Sequence, residues 1–160
     1  MTEFRSRRWV LTGAGASVFA LALAGCSRTP PSTVAGAGAP ATPGSPQDFA
    51  VNVGDRVFFT VDSSNITPTA ADVLNQQAAW LQRYPQYQVT VEGHADERGT
   101  REYNIALSAR RADATRNYLA SRGVPASRMR TISFGKERPV AVCDNETCWN
   151  QNRRAVTILA

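Results

Sequence analysis

Among 160 residues there is one histidine, His94. That alone excludes any site built from two or more imidazoles. Cysteine is scarce and odd in number, with Cys26, Cys143 and Cys148. Aromatics make up 8% and charged residues 19% of the chain, and 42% is apolar, so a wholly disordered chain is excluded. No self-similarity recurs at a period of 20 to 50 residues, which argues against a solenoid. Long apolar runs are missing too. The best stretch, Trp9 to Ala24, is shorter and richer in Gly and Ala than the roughly 20 apolar residues a membrane span needs. The length leaves room for one ordinary domain and an accessory segment.

The accessory segment comes first. Arg5, Arg7 and Arg8 precede the apolar stretch, and small residues close it. Basic, apolar and small residues in that order read as a secretory signal over residues 1–25. Leu23-Ala24-Gly25-Cys26 resembles the lipobox of bacterial lipoproteins, which implies cleavage before Cys26 and acylation of its thiol and new amino terminus. Several acyl chains hold a membrane stably where one does not. Ser27, rather than Asp, after the cysteine favours the outer membrane. Ser6 to Leu11 also resembles a weak twin-arginine export motif, although an ordinary basic signal start is the preferred reading. Removing residues 1–25 takes away three Arg and Glu3, so the net charge falls from +5 to +3. Nearly all the basic residues are Arg, and nothing in their distribution points to nucleic acid.

Residues 27–47 are Pro, Gly, Ala, Ser and Thr with few charges, a composition that predicts a flexible tether. Its typical reach is roughly 25 Å, and its full extension about 70 Å. Cys143 and Cys148 are expected to form a disulfide, since the exported compartment is oxidising. A metal pair is the alternative, but neither a nearby His nor a third Cys completes a tetrahedral set.

The globular part is residues 48–160. A strand is expected over 51–60, where β-branched and aromatic residues dominate. Thr67-Pro68 opens a helix whose apolar positions run from Ala70 to Tyr84, before Pro85. Tyr87, Val89 and Val91 alternate with polar residues as a second strand. A polar loop, Gly93 to Arg101, leads into a long helix over 102–122 that stops at Gly123 and Pro125. Further strands are expected at Thr131–Phe134 and Ala155–Leu159. The order βαβαββ predicts an α/β sandwich, a four-stranded mixed sheet with two main helices on one face, and its two βαβ crossovers imply parallel pairing.

Three segments then stand out in order. The run from Val89 through Gly93-His94-Ala95-Asp96-Glu97-Arg98-Gly99 to Asn104 is followed by Leu107-Ser108 and Arg110-Arg111-Ala112. Phe134 to Pro139 and Asn152 to Val156 complete the set. Together they resemble the OmpA-like peptidoglycan-binding domain, over about Val57 to Leu159. That resemblance implies non-covalent binding of the free, zwitterionic end of diaminopimelate in a peptidoglycan stem peptide. Asp96 would take the ammonium, and Arg111 would grip the carboxylate by a two-point contact that Lys cannot copy. The bland alternative is an internal Asp96–Arg111 salt bridge or two solvated charges. Asn104 would contact the ligand or fix the loop, or equally cap the helix. Asp62 would approach the ligand from the first loop, although Thr60 stands where relatives often carry Asp. Of Arg153 and Arg154 one is expected to face the site and the other the surface, with Arg154 the residue assigned to binding. His94 is read as a packing and loop-shaping residue, and Tyr103 and Leu107 as core or pocket wall.

The resemblance further implies an outer-membrane lipoprotein that faces the periplasm, binds TolB-like and TolA-like proteins and needs neither cofactor nor metal. A cell-wall hydrolase is the rival class. Its only clustered candidates, His94, Asp96 and Glu97, make a poor zinc set. A glycosidase would need two carboxyls at a defined separation across a cleft. Two other OmpA-like settings differ in what must precede the domain. A flagellar stator anchor needs a true membrane helix, and a barrel protein needs about eight strands upstream.

Overall fold

The computed structural model describes residues 41–160. The expected signal peptide, Cys26 and the linker up to residue 40 lie outside the described residues. Ser45 caps a short helix, α1 (Pro46–Asp48), by accepting from the Asp48 amide, with proline in its first turn. The chain continues through a π-helical turn, Phe49–Gly54, into β1 (Arg56–Phe58). Then follow α2 (Pro68–Arg83), β2 (Val89–Gly93), α3 (Arg101–Ser121), β3 (Met129–Ser133), α4 (Glu146–Asn152) and β4 (Arg154–Leu159).

The strands form one mixed sheet in the order β1-β4-β2-β3. Only β2 and β3 pair parallel, while β4 pairs antiparallel with both β1 and β2. The first crossover therefore does not join neighbours as the sequence suggested, because β4 inserts between β1 and β2. The expected strand over 51–60 shrinks to three residues. Val51, which had suggested strand, is largely exposed on the π-helical turn. What fixes this turn is tertiary: Phe49 is buried against Trp80, with ring centroids 4.9 Å apart, and Trp80 donates its indole N–H to Asp48 at 2.9 Å. The Tyr87 hydroxyl donates to the Gly44 carbonyl at 2.8 Å, so the packed structure reaches back a few residues before the expected start at 48.

Helices α2 and α3 supply the core from one side. Leu74, Leu81 and Leu119 are fully buried against Val57, Val89, Val91 and Ala155 of the sheet. Burying each such side chain contributes about 1.5–3 kcal/mol. Thr67 caps α2 and Thr100 caps α3, each through its side chain. The opposite sheet face carries no helix of this size, and Phe58, Ile132 and Ile158 are partly exposed there. One glycine sets the spacing of α3. A Cβ on Gly93 would lie 1.9 Å from the Ser108 carbonyl oxygen, so only glycine lets α3 sit this close to β2. Gly93 thus serves close packing. Gly99, with φ of 84°, serves the loop.

The helix α4 has no counterpart in the sequence reading. Asn145 caps it, Glu146 favours its first turn, and the Cys143–Cys148 disulfide ties that turn to the preceding loop. At seven residues it is too short for periodicity to reveal.

Candidate functional site

The loop between β2 and α3 meets the loop after β1 above the amino-terminal half of α3. Between them lies a cavity of about 360 Å³. Val61 and Asp62 line it from one loop, Asp96, Arg98 and Gly99 from the other, and Tyr103, Asn104, Leu107 and Arg111 from α3. The fold therefore brings Asp96, Arg111, Asn104 and Asp62 to one cavity.

Arg111 sits two to three turns into α3 and is 0% exposed. Its guanidinium is held by backbone carbonyls from both loops. Nε donates to Ser63 at 2.9 Å, and the two terminal nitrogens donate to His94 at 2.9 Å and Thr60 at 3.2 Å. A guanidinium has five N–H groups, so two remain. No described carboxylate forms an ion pair with Arg111; the bland alternative, an internal bridge to Asp96, is not made. Burial pushes its pKa down to about 10, while the more distant charges of Asp96 and Asp62 act in the opposite sense. It remains cationic at neutral pH, with carbonyl dipoles but no paired anion among the described residues. Thr60 contributes through its carbonyl, a contact that does not depend on its side chain.

Asp96 is the mirror case. One carboxylate oxygen accepts from Arg98 at 2.7 Å and from Arg153 at 3.0 Å, and the other accepts the Arg98 amide at 3.2 Å. Burial raises its pKa, but the Arg98 and Arg153 hydrogen bonds outweigh it and leave the carboxyl below its ordinary value. Arg153 is 2% exposed in its side chain and also donates to the Phe59 carbonyl and to Glu146. Arg154 is not at this cavity. It lies under the other sheet face, donating to the Asn152 and Arg138 carbonyls. The structure thus places Arg153, rather than the expected Arg154, against Asp96, and neither arginine faces solvent. Strand parity carries the signal: Arg153 shares its parity with Ala155 and Thr157, which face the helices.

Asn104 donates from its side-chain amide to the Arg98 carbonyl at 2.7 Å, which fixes the loop from within α3. Asp62, at φ 54°, accepts from the Tyr103 hydroxyl across the cavity mouth. Tyr103 and Leu107 form the wall. His94 packs as read, stacked on Phe134 with centroids 5.5 Å apart. Its two ring nitrogens are buried without hydrogen bonds, and burial together with Arg154 and Arg138 pushes its pKa down to about 4. Arg98 and Trp149 went unnoticed in the sequence. The Arg98 guanidinium lies 4.1 Å over the Trp149 ring and reaches Glu146, while the Trp149 indole donates to Glu97. Lys136 ties down the same loop through the Glu97 and Gly99 carbonyls. Among the described residues, no cluster of His, Cys, Asp and Glu could hold a metal ion.

Residues 58–153 match the model of the OmpA family. A peptidoglycan-associated lipoprotein of Brucella melitensis is 67% identical over 145 residues, which cover 87% of this chain and 86% of that one. The chain belongs to the OmpA family, among its peptidoglycan-associated lipoproteins. A relative of the same name from Haemophilus influenzae is 46% identical over 64% of this chain and 67% of its own. The crystal structure of the peptidoglycan-associated lipoprotein from Burkholderia pseudomallei superposes with a TM-score of 0.68 at 37% identity, covering 72% of this chain and all of that one. The carboxy-terminal domain of Helicobacter pylori MotB shares the fold, with a TM-score of 0.62 at 22% identity. The family membership makes this an envelope lipoprotein whose domain anchors to peptidoglycan without enzymatic activity. Among the described residues, no helix is long and apolar enough to cross a membrane.

Proposed function

We propose that the cavity captures the zwitterionic end of a diaminopimelate stem peptide. The observation that carries this reading is Arg111, a buried guanidinium with two free N–H groups and no paired carboxylate, beside a cavity whose rim carries Asp96. A planar fork of this kind suits a carboxylate. The ligand's ammonium, borne on the same carbon, goes to Asp96, with Asp62 adding negative charge across the mouth. Asn104 acts by holding the loop in place, and Arg153 by keeping Asp96 ionised. Recognition is non-covalent, and a match at both charges is needed.

In the cell this makes the chain a tether. Residues 1–25 are the signal, Cys26 carries the lipid in the outer membrane, residues 26–47 link it to the domain, and the domain holds peptidoglycan from the periplasmic side. Its place is then the Tol-Pal system, in envelope integrity and cell division, with TolB-like and TolA-like proteins as partners. Co-sedimentation of the detergent-solubilised full chain with diaminopimelate-type sacculi tests the site. Wild type pellets, whereas folded Asp96→Ala and Arg111→Lys variants stay in solution. Equal pelleting of all three would refute the site, and failure of wild type to pellet would refute the ligand.

A further inference from the structure

Two arginines share one oxygen of Asp96, and they are unlike. Arg153 is 2% exposed in its side chain and held by the Phe59 carbonyl and Glu146 as well. Arg98 is 38% exposed, lines the cavity itself, and closes on the same oxygen at 2.7 Å. An ammonium arriving at Asp96 must therefore share or replace one cation, and only Arg98 is free to move. It has somewhere to go, since its guanidinium already lies over the Trp149 ring and 3.4 Å from Glu146. Cation–π stacking and a carboxylate together can retain a guanidinium that has given up one partner.

We infer that Arg98 is an internal competitor for the ligand's ammonium, a latch that covers Asp96 in the empty site and withdraws onto Trp149 and Glu146 when the ligand binds. This rests on the diaminopimelate reading above. Arg153 stays in place and keeps the carboxylate charged in both states. The helix that receives the latch is the one pinned by the Cys143–Cys148 disulfide, so the receiving groups are fixed in advance. The latch makes binding an exchange of one cation for another. It therefore favours a ligand that also offers a carboxylate to Arg111 over a bare amine, which gains nothing beyond what Arg98 already supplies.

The consequence is unusual for a residue lining a binding site: removing it strengthens binding. The test is titration calorimetry of the detergent-solubilised full chain with the tripeptide L-Ala-γ-D-Glu-meso-diaminopimelate. Arg98→Gln is expected to bind roughly two- to fivefold tighter than wild type, the size of one exposed ion pair. Arg98→Lys, which keeps the charge but loses the fork and the flat stack, falls between them. A second readout separates a latch from a merely structural residue. Asp96 faces Arg98 from its own loop, Arg153 from the end of α4 and Arg111 from α3, with Asp62 across the cavity and Glu146 paired to both Arg98 and Arg153. Losing Arg98 removes one hydrogen bond that favours the ionised carboxyl. The acid loss of binding should therefore begin at a higher pH in Arg98→Gln, even as affinity at neutral pH rises. Unchanged or weaker binding by folded Arg98→Gln, beside normal binding by wild type, overturns the latch alone. No binding by either protein overturns the ligand reading with it.

Discussion

The two ends of the cavity are built on opposite plans. At one end Arg111 is a buried cation surrounded by carbonyl oxygens, with no described carboxylate paired to it. At the other, Asp96 is an anion over-supplied with cations, one buried and one displaceable. Desolvating a charge is expensive, and the two ends meet that cost differently. The Arg111 end uses main-chain dipoles from two loops and leaves N–H groups over. The Asp96 end uses ion pairs and leaves no cation wanting. An incoming carboxylate therefore adds a new interaction, whereas an incoming ammonium exchanges for an old one. Most of the net affinity should come from the Arg111 end, and the Asp96 end should govern selectivity.

Breaking the first end should have the largest effect. Arg111→Ala strands three carbonyls that now accept from the guanidinium, and should lower stability by about 4 kcal/mol, measured by urea denaturation. Arg111→Lys should fold but bind stem peptide at least about tenfold more weakly, because an ammonium cannot present the fork. Breaking the second end comes next. Asp96→Asn leaves buried Arg153 only Glu146 as a carboxylate partner, and should cost about 3 kcal/mol of stability together with ligand binding.

The first end also depends on pH through its support. His94 supplies a carbonyl to Arg111, and its buried ring is pushed down to about 4 from an ordinary 6.5. The unfolded chain takes up this proton first as pH falls. The stability contributed by a neutral His94 is therefore complete above pH 6.5 and lost progressively towards pH 4, by about 3 kcal/mol in all. Nearby Glu92, 3.7 Å away, reduces that loss if the ring does charge. Denaturation curves from pH 7 to 4.5 should show the decline, and His94→Gln should flatten it. The second end depends instead on redox state. Replacing Cys143 and Cys148 with serine frees the first turn of α4 and should cost about 2 kcal/mol by the loop-entropy model. Retention of full thermal stability would show that α4 is held by its packing alone.

The smallest change sharpens the contrast. Thr60 acts at Arg111 only through its carbonyl. Thr60→Asp keeps that carbonyl and should alter stability by less than about 0.5 kcal/mol, measured by urea denaturation.

Much of this was legible in the sequence. The Thr67-Pro68 opening, the stop at Gly123 and the alternation through Val89 and Val91 placed two helices and a central strand within a residue or two, while the Thr100 cap of α3 went unread inside the polar loop. The motif around Asp96 and Arg111 pointed to one site because helix and loop adjoin in the chain. What failed shares a cause. Val51 and Val53 resembled strand, but a long-range contact, Phe49 on Trp80, decided their conformation. The parallel pairing expected from the crossovers holds for β2 and β3, but β1 and β2 are not neighbours because β4, last in the chain, inserts between them. Arg98 escaped notice because its role depends on Trp149 and Glu146, some 50 residues away on a helix too short to announce itself.

The most direct test of the central claim removes the ligand's carboxylate rather than the protein's arginine. The detergent-solubilised full chain should be titrated with stem tripeptide bearing a free diaminopimelate end, and with the same peptide amidated at that carboxylate. If Arg111 is the anion receptor, the free form binds and amidation weakens binding by about 30-fold or more, the scale expected for a desolvated charge pair. If both peptides bind alike, Arg111 is only a structural cation bracing two loops, and the cavity recognises its ligand by other means.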